Sequence, residues 1–179
     1  MNYQDILDFW FATATQPFWF AKSSDFDQKL TKKFKTTLEQ AQQNELYEWR
    51  NSAQGRLAEV IILDQFSRNI YRDTPAAFAQ DPQALALTQE AISLGLDDWL
   101  EPMQRRFLYM PFMHSESVKI HEQAMLLFRA LGDENSLDYE RQHQQIIQRF
   151  GRYPHRNAIL GRQSTPEELE FLQQPQSSF

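Results

Sequence analysis

Cysteine is absent from this 179-residue chain, and glycine is scarce, with only 5 residues. Without cysteine the protein can form neither disulfide bonds nor thiolate metal sites. So few glycines argue against a β-rich fold, which needs many tight turns. No run approaches the roughly 18 apolar residues of a membrane span, and no basic leader followed by an apolar stretch begins the sequence. These absences predict a cytoplasmic protein without a membrane partner.

A basic excess is also missing, because the formal net charge is −6. General nucleic-acid-binding proteins normally carry a positive surface, so that class is not expected. The composition that is present, with 41% hydrophobic, 23% charged and 13% aromatic residues, is typical of a globular protein. It predicts one domain over residues 1–179 with a core of large aromatic rings, and it leaves the oligomeric state undetermined.

Signals for helix starts and ends recur along the whole chain. Ser23 or Ser24 opens a segment whose apolar residues Phe26, Leu30, Phe34 and Leu38 stand four apart. Further helix starts are predicted at Asp81, Ser115, Ser136 and Thr165, and helix ends at Gly95, Gly132 and Gly151. The Thr165 start carries a capping box that ends at Glu168. The sequence therefore predicts an all-α fold, an antiparallel bundle or array of helices.

The segment 53–71 differs from the other predicted helices. Its residues 60–63 are apolar all the way round a helix, which predicts an element buried on several sides. Polar residues follow at once: Asp64, Gln65, Arg68 and Asn69. On an unbroken helix Asp64 and Arg68 are spaced to pair. Two interpretations are open, a structural ion pair that fixes the helix register or a polar pocket lined by these four residues.

Charge is segregated near the end of the chain. The stretch from Arg141 to Pro166 contains five arginines and no acidic residue or lysine. Arginine suits planar, two-point contact with carboxylate or phosphate groups. Two interpretations are open here as well, an anion-binding surface or docking of this stretch against the protein's own acidic helices. The densest part runs over residues 149–157 and includes Arg152, His155, Arg156 and Asn157.

The histidine spacings do not predict a metal site. His114 precedes Glu116 at a predicted helix start, and His121 follows one heptad later, roughly 10 Å along a helix and too far for one ion. Glu140 and His143 have the spacing of a dimetal bundle, but no second copy occurs. We expect no metal and no cofactor, and we expect His143 to lie in the core.

Two aromatic triplets, residues 9–11 and 18–20, stand nine positions apart. They predict packing of the N-terminal helix onto the bundle, with an exposed aromatic patch for a partner as the alternative.

Six motifs together carry a family resemblance. They are Ile6-Leu7-Asp8-Phe9-Trp10-Phe11 with Trp19-Phe20, Asp64-Gln65-Phe66 with Arg68-Asn69-Ile70, Phe107-Leu108-Tyr109 with Pro111-Phe112, His114-Ser115-Glu116, Arg149-Phe150-Gly151-Arg152 with Pro154-His155-Arg156-Asn157, and Leu160-Gly161-Arg162 with Ser164-Thr165.

In this order they resemble the uncharacterised bacterial family called domain of unknown function 924, nearly end to end. The resemblance implies a tetratricopeptide-like helical fold and supplies no activity. Family members usually have proline where Ser67 stands and glycine where Ala12 stands. Proline at the Ser67 position would kink the helix, which bears on the spacing argument for Asp64 and Arg68.

The leading functional hypothesis is a helical binding module for a small anion or an acidic peptide end. Its binding residues are predicted to be Asp64, Gln65, Arg68, Asn69, His114, Glu116, Arg152, His155, Arg156 and Asn157. An enzyme is the first alternative, with His114 or His155 as general base and Glu116 or Asp64 orienting it. The second alternative is an interaction scaffold in which the motifs only hold the bundle together.

Overall fold

A computed structural model describes residues 1–175 and 177. Over these residues all regular structure is helical and no β-strand is present, which confirms the predicted all-α fold. The chain divides into two compact units. Unit 1 comprises Met1–Arg72 and Ala76–Pro111, and unit 2 comprises Asp73–Pro75 and Phe112–Phe179. The single domain over residues 1–179 stays a prediction.

The helices follow one another with short connections. The α-helices are α1 (Tyr3–Phe11), α2 (Ser24–Gln42), α3 (Ala53–Ile61), α4 (Ser67–Ile70), α5 (Asp81–Ser93), α6 (Pro102–Met113), α7 (Val118–Leu131), α8 (Glu134–Phe150) and α9 (Pro166–Phe171). Short 3₁₀ turns occur between several of them, including Tyr47–Asn51 and Pro154–Arg156. In the part of the chain described, no helix is both long and apolar enough to cross a membrane.

Helix α2 of unit 1 forms as the four-residue apolar spacing predicts. Ser23 is the N-cap, and its hydroxyl accepts a hydrogen bond from the Phe26 amide at 3.3 Å. Phe26, Leu30, Phe34 and Leu38 are all buried. This face packs against α4 and the turn that precedes it, so the amphipathic pattern fixes the position of the central segment.

The aromatic triplets of unit 1 pack mainly into one core. The Phe9 ring centre lies 4.9 Å from that of Phe34, and the Trp10 ring centre lies 5.4 Å from that of Phe66. Trp19 packs against Phe107 at 4.8 Å. Edge-to-face and tilted pairs of this kind add to the stabilisation from buried area. Phe20 differs, since 62% of its surface stays exposed.

The central segment is helical and buried, but it is not one unbroken α-helix. A π-helical turn, Ile62–Phe66, separates α3 from α4. Because a π turn takes up more residues than an α turn, it shifts the register between the two helices. At its end the Ser67 hydroxyl donates a hydrogen bond to the carbonyl oxygen of Leu63 at 2.6 Å.

Gly55 marks a close backbone approach at the beginning of α3. A Cβ atom at this position would lie 2.0 Å from the carbonyl oxygen of Trp49. The Ser52 hydroxyl caps the helix by accepting from the Gly55 amide at 3.0 Å. Only glycine allows the 3₁₀ turn Tyr47–Asn51 to come this close to α3.

Unit 2 is built on the pair α7 and α8, which pack against each other. Both helices end at glycines in the left-handed conformation, Gly132 and Gly151, as predicted. Buried residues of unit 2 include Ala124, Phe128, Leu137, Ile146 and Ile147.

Three of the predicted helix starts need correction. Helix α7 has Ser117 at its N-cap rather than Ser115, and α8 starts after Asp133, whose carboxylate accepts from the Asn135 amide. Asp81 is the first residue of α5 rather than its cap. The capping box at Thr165 is present as predicted, with α9 beginning at the following proline. Capping residues next to several polar neighbours are hard to place, because each neighbour offers a similar side-chain oxygen.

Candidate functional site

The predicted polar residues of unit 1 lie on and just after the π turn. Asp64 and Gln65 are buried, and the Gln65 amide donates to the Asp64 carboxylate at 2.5 Å. The Arg68 guanidinium lies 3.3 Å from the other Asp64 oxygen. The predicted Asp64–Arg68 pair is therefore present, although the helix between them is not regular.

The arginines that follow the π turn are balanced by carboxylates. Arg68 makes a two-point contact with Asp81 at 2.8 and 3.0 Å. Arg72 makes a similar contact with Asp27 at 2.6 and 2.8 Å and donates to Asn69 at 2.9 Å. Such paired, partly buried charges hold helices in register. Within unit 1, the contacts favour the structural interpretation of these residues.

The arginine-rich stretch of unit 2 is also largely matched by carboxylates. Ion pairs join Arg141 to Asp138, Arg149 to Glu167, Arg152 to Glu168 and Arg162 to Glu116. Every one of these acids lies outside the acid-free stretch. The interpretation in which this stretch docks against the protein's own acidic residues accounts for these four arginines.

Two of the partner carboxylates are held in the ionised form. The hydrogen bond from Arg152 lowers the pKa of Glu168 to about 2, with further donors at Thr165 and Asn157. Burial by itself would raise the pKa of Glu116. The Arg162 guanidinium and the Tyr153 amide outweigh that effect and hold it below the usual value.

Asn157 connects these two ion pairs. Its amide group donates to the Ser164 hydroxyl at 3.1 Å and to the Glu168 carboxylate at 3.2 Å. Its carbonyl oxygen accepts from Arg162 at 2.9 Å. Of the predicted site residues in unit 2, Glu116, Arg152 and Asn157 therefore belong to one internal hydrogen-bond network.

The other three predicted residues of unit 2 gather at Tyr153. The Arg156 guanidinium lies over the Tyr153 ring, 4.5 Å from its centre, and donates to the carbonyl oxygen of His114 at 3.1 Å. The His155 ring centre lies 5.5 Å from that of Tyr153. His114 and His155 are half-buried. The fold of unit 2 thus brings together these three residues, which the sequence predicted as binding residues.

Two more histidines, which the sequence did not predict as site residues, approach the same tyrosine. The ring of His143 lies 5.7 Å and that of His121 6.4 Å from the Tyr153 ring, measured between centres. Burial lowers the pKa of His143 to about 3, and the other three histidines add to this effect. We call Tyr153, Arg156 and the four histidines the Tyr153 cluster. All four histidines of the chain belong to it.

His143 occupies the core, as expected. It is buried, and its Nδ1 lies 2.7 Å from the carbonyl oxygen of Tyr139. Across residues 1–175 and 177, no group of three or more histidine, aspartate or glutamate side chains is arranged to hold a metal ion.

The comparisons with known proteins cover nearly the whole chain. The model of a family described as "Bacterial protein of unknown function (DUF924)" matches residues 6–176. The solved structure of ATU0120, a protein of unknown function from Agrobacterium tumefaciens, is similar at 39% sequence identity and a TM-score of 0.90. The similarity covers 95% of this chain and 96% of that one. A search of curated proteins gave no match.

Proposed function

Because this chain belongs to the DUF924 family of bacterial proteins of unknown function, we propose its function from the chemistry of its own residues: it is a helical binding module for a small anion. The ligand is a phosphate or a carboxylate, including the carboxylate of an acidic peptide end. The binding groups are His114, His155 and Arg156 of the Tyr153 cluster.

The observation that supports the proposal is that one guanidinium and two half-buried histidines lie together beside one tyrosine. The Arg156 guanidinium and the imidazoles of His114 and His155 meet there. An anion beside His114, His155 and Arg156 receives charge-assisted hydrogen bonds, each worth roughly 1.5–3 kcal/mol. The two half-buried histidines are reachable from solvent.

The remaining predicted residues have supporting roles in this proposal. Glu116, Arg152 and Asn157 fix the loop that carries His155 and Arg156, since they join it to Arg162 and Glu168. For Asp64, Gln65, Arg68 and Asn69 we propose a positioning role within unit 1.

The enzyme alternative has less support from the contacts. Glu116 was a candidate to orient a general base, but it accepts hydrogen bonds from Arg162 and from the Tyr153 amide. These donors lower its pKa and make it a weak base. Asp64, the other candidate, accepts from Gln65 and pairs with Arg68.

The scaffold alternative is favoured by a specific observation, namely that most motif residues bind partners inside their own unit. Under that alternative His114, His155 and Arg156 are also structural, and no small ligand binds. Calorimetric titration separates the two functions, with inorganic phosphate and glutarate as probes of phosphate and carboxylate binding.

We expect the parent protein to bind at least one probe and Arg156→Gln to weaken binding at least roughly tenfold, the loss of one charge-assisted hydrogen bond. Arg141→Gln is the matched control, because Arg141 is an exposed arginine of the same unit. It should bind like the parent. If the parent binds neither probe, or if both variants bind as the parent does, the anion site is wrong and the scaffold alternative stands.

A further inference from the structure

The segment 114–116 joins α6 to α7 in unit 2, and its first residue is His114, a proposed anion-binding group. The His114 carbonyl oxygen accepts a hydrogen bond from Arg156 at 3.1 Å. At the other end of the segment, the Glu116 carboxylate accepts from the Tyr153 amide at 2.7 Å. Arg156 and Tyr153 both belong to the loop after α8. That loop therefore holds the segment at its two ends.

The middle of the segment is held by α7 instead. The Ser115 carbonyl oxygen lies 2.9 Å from Nε2 of His121. The Tyr153 hydroxyl lies 3.2 Å from the same nitrogen and donates its own proton to the carbonyl oxygen of Met113. Both of these neighbours of Nε2 therefore act as acceptors, so this nitrogen carries a proton and donates a hydrogen bond.

Glu140 on α8 fixes the orientation of the His121 ring. Its Oε1 atom lies 2.7 Å from Nδ1, the other ring nitrogen, and both side chains are fully buried. A hydrogen bond to one nitrogen of an imidazole ring sets the direction in which the other nitrogen points. A continuous line of contacts therefore runs from α8 through α7 to the Ser115 carbonyl oxygen.

Packing alone does not account for this buried polar pair. Among the described residues, the second carboxyl oxygen of Glu140 has no hydrogen-bond partner, although it is buried. Such an oxygen has lost its contacts with water without gaining another donor, which destabilises the fold. Apolar side chains of similar size would join α7 to α8 without this cost. They would, however, leave the Ser115 carbonyl oxygen without the hydrogen bond from His121.

We propose that Glu140 and His121 are positioning residues, which hold the segment 114–116 in place and thereby set where His114 meets the anion. The inference rests on the proposed anion binding. Neither positioning residue touches the anion itself, because both side chains are fully buried. Without Glu140 the His121 ring is free to turn, and the Ser115 carbonyl oxygen loses its donor. The segment then shifts, and the contact of His114 with the ligand weakens.

Calorimetric titration of Glu140 variants of the full chain with inorganic phosphate tests the inference. In metal sites, loss of a group that orients a ligating histidine lowers affinity by roughly 10- to 100-fold, so Glu140→Ala should weaken phosphate binding by about tenfold or more. Glu140→Gln keeps a hydrogen bond to Nδ1 of His121 and should bind phosphate like the parent.

Leu137→Ala is the matched control for lost stability. Leu137 is buried on the same helix, so its truncation destabilises the fold, but it does not belong to the line of contacts that ends at Ser115. This variant should bind phosphate like the parent. The positioning role is overturned if Glu140→Ala binds as the parent does, or if either Leu137→Ala or Glu140→Gln weakens binding as much as Glu140→Ala.

Hydrogen exchange at the Ser115 amide measures the position of the segment without any ligand. This amide donates to the carbonyl oxygen of Phe112 at 3.2 Å. Its exchange should be at least about tenfold faster in Glu140→Ala than in the parent, and close to the parent in Glu140→Gln. If the parent binds no phosphate, the proposed function fails, and exchange alone decides the positioning role. Equal exchange rates in the parent and Glu140→Ala overturn it.

If Glu140→Ala does not fold, the magnetic resonance spectrum of the parent decides. A protonated Nε2 of His121, with scalar coupling across the hydrogen bond to the Ser115 carbonyl carbon, supports the positioning role. The absence of either the proton or the coupling overturns it.

Discussion

The two units differ in the residues that fill their interiors. All four tryptophans of the chain, at positions 10, 19, 49 and 99, lie in unit 1, and all four histidines lie in unit 2. Unit 1 is stabilised by packed aromatic rings and by arginines matched to carboxylates. Unit 2 contains the buried titratable groups Glu140 and His143 near Tyr153, so we expect its stability to depend on pH. We therefore expect substitutions in unit 1 to affect chiefly stability, and we propose ligand binding for unit 2.

The prediction with the largest expected effect on the free energy of unfolding concerns the packed interior of unit 1. Ile61 is fully buried, so Ile61→Ala should lower the free energy of unfolding by about 2–5 kcal/mol, from lost transfer energy and the cavity left behind. Denaturant unfolding followed by tryptophan emission measures it, because that signal comes from unit 1. Ile92→Ala is the control, since Ile92 is only partly buried and should cost less. A loss for Ile61→Ala below about 0.5 kcal/mol would contradict the placement of the central segment in the core.

A second prediction concerns the close approach at Gly55. Gly55→Ala should cost roughly 1–3 kcal/mol, because its Cβ atom would overlap the Trp49 backbone, and it should alter tryptophan emission. Gly132→Ala in unit 2 is the comparison. Gly132 has a φ of 75° with nothing near its Cβ position, so this change should cost roughly 1 kcal/mol through backbone strain alone. Native-like emission and stability in Gly55→Ala would show that the Tyr47–Asn51 turn moves freely.

A third prediction separates charge from hydrogen bonding at Glu140. Glu140→Ala removes the partner of His121 Nδ1 and should cost roughly 1–3 kcal/mol. Glu140→Gln should cost less than about 1 kcal/mol near pH 6, because the glutamine amide can donate a hydrogen bond to Nδ1 and so replace the contact of the carboxyl group. Urea unfolding of both variants measures the difference, and equal losses would show that the hydrogen bond between residue 140 and His121 does not contribute to stability.

The pH dependence of the Glu140 contribution has a definite sign. Its pKa is raised in the folded state, so its contribution is fully present below the unfolded value near 4.3 and is lost as pH rises through the folded value. The Glu140→Gln variant should therefore gain stability relative to the parent as pH rises. A constant difference between the two proteins from pH 5 to pH 8 would contradict the raised pKa.

The predictions that the structure confirms depend on local patterns in the sequence. The apolar spacing of α2, the capping box at Thr165 and the pairing of Asp64 with Arg68 all depend on residues close together in the sequence. The π turn was not predicted, because the packing of α2 and α3 around it, rather than its own residues, decides the helix register.

The parts of the candidate site that were not predicted from the sequence involve residues that are distant in sequence. His121 and Glu140 lie on different helices and meet only when α7 packs on α8. The acids that pair with the arginine stretch lie outside it, so a count of charge within the stretch overstated its positive excess. Periodicity within one helix therefore does not reveal either arrangement.

The central claim is that a small anion binds in unit 2 beside His114, His155 and Arg156. Magnetic resonance spectra of the imidazole and indole groups during a phosphate titration at constant pH test it most directly, because histidines report on unit 2 and tryptophans on unit 1. We predict saturable shifts of the His114 and His155 signals with unchanged indole signals. Unmoved histidine signals, or indole shifts as large as the histidine shifts, would contradict the claim.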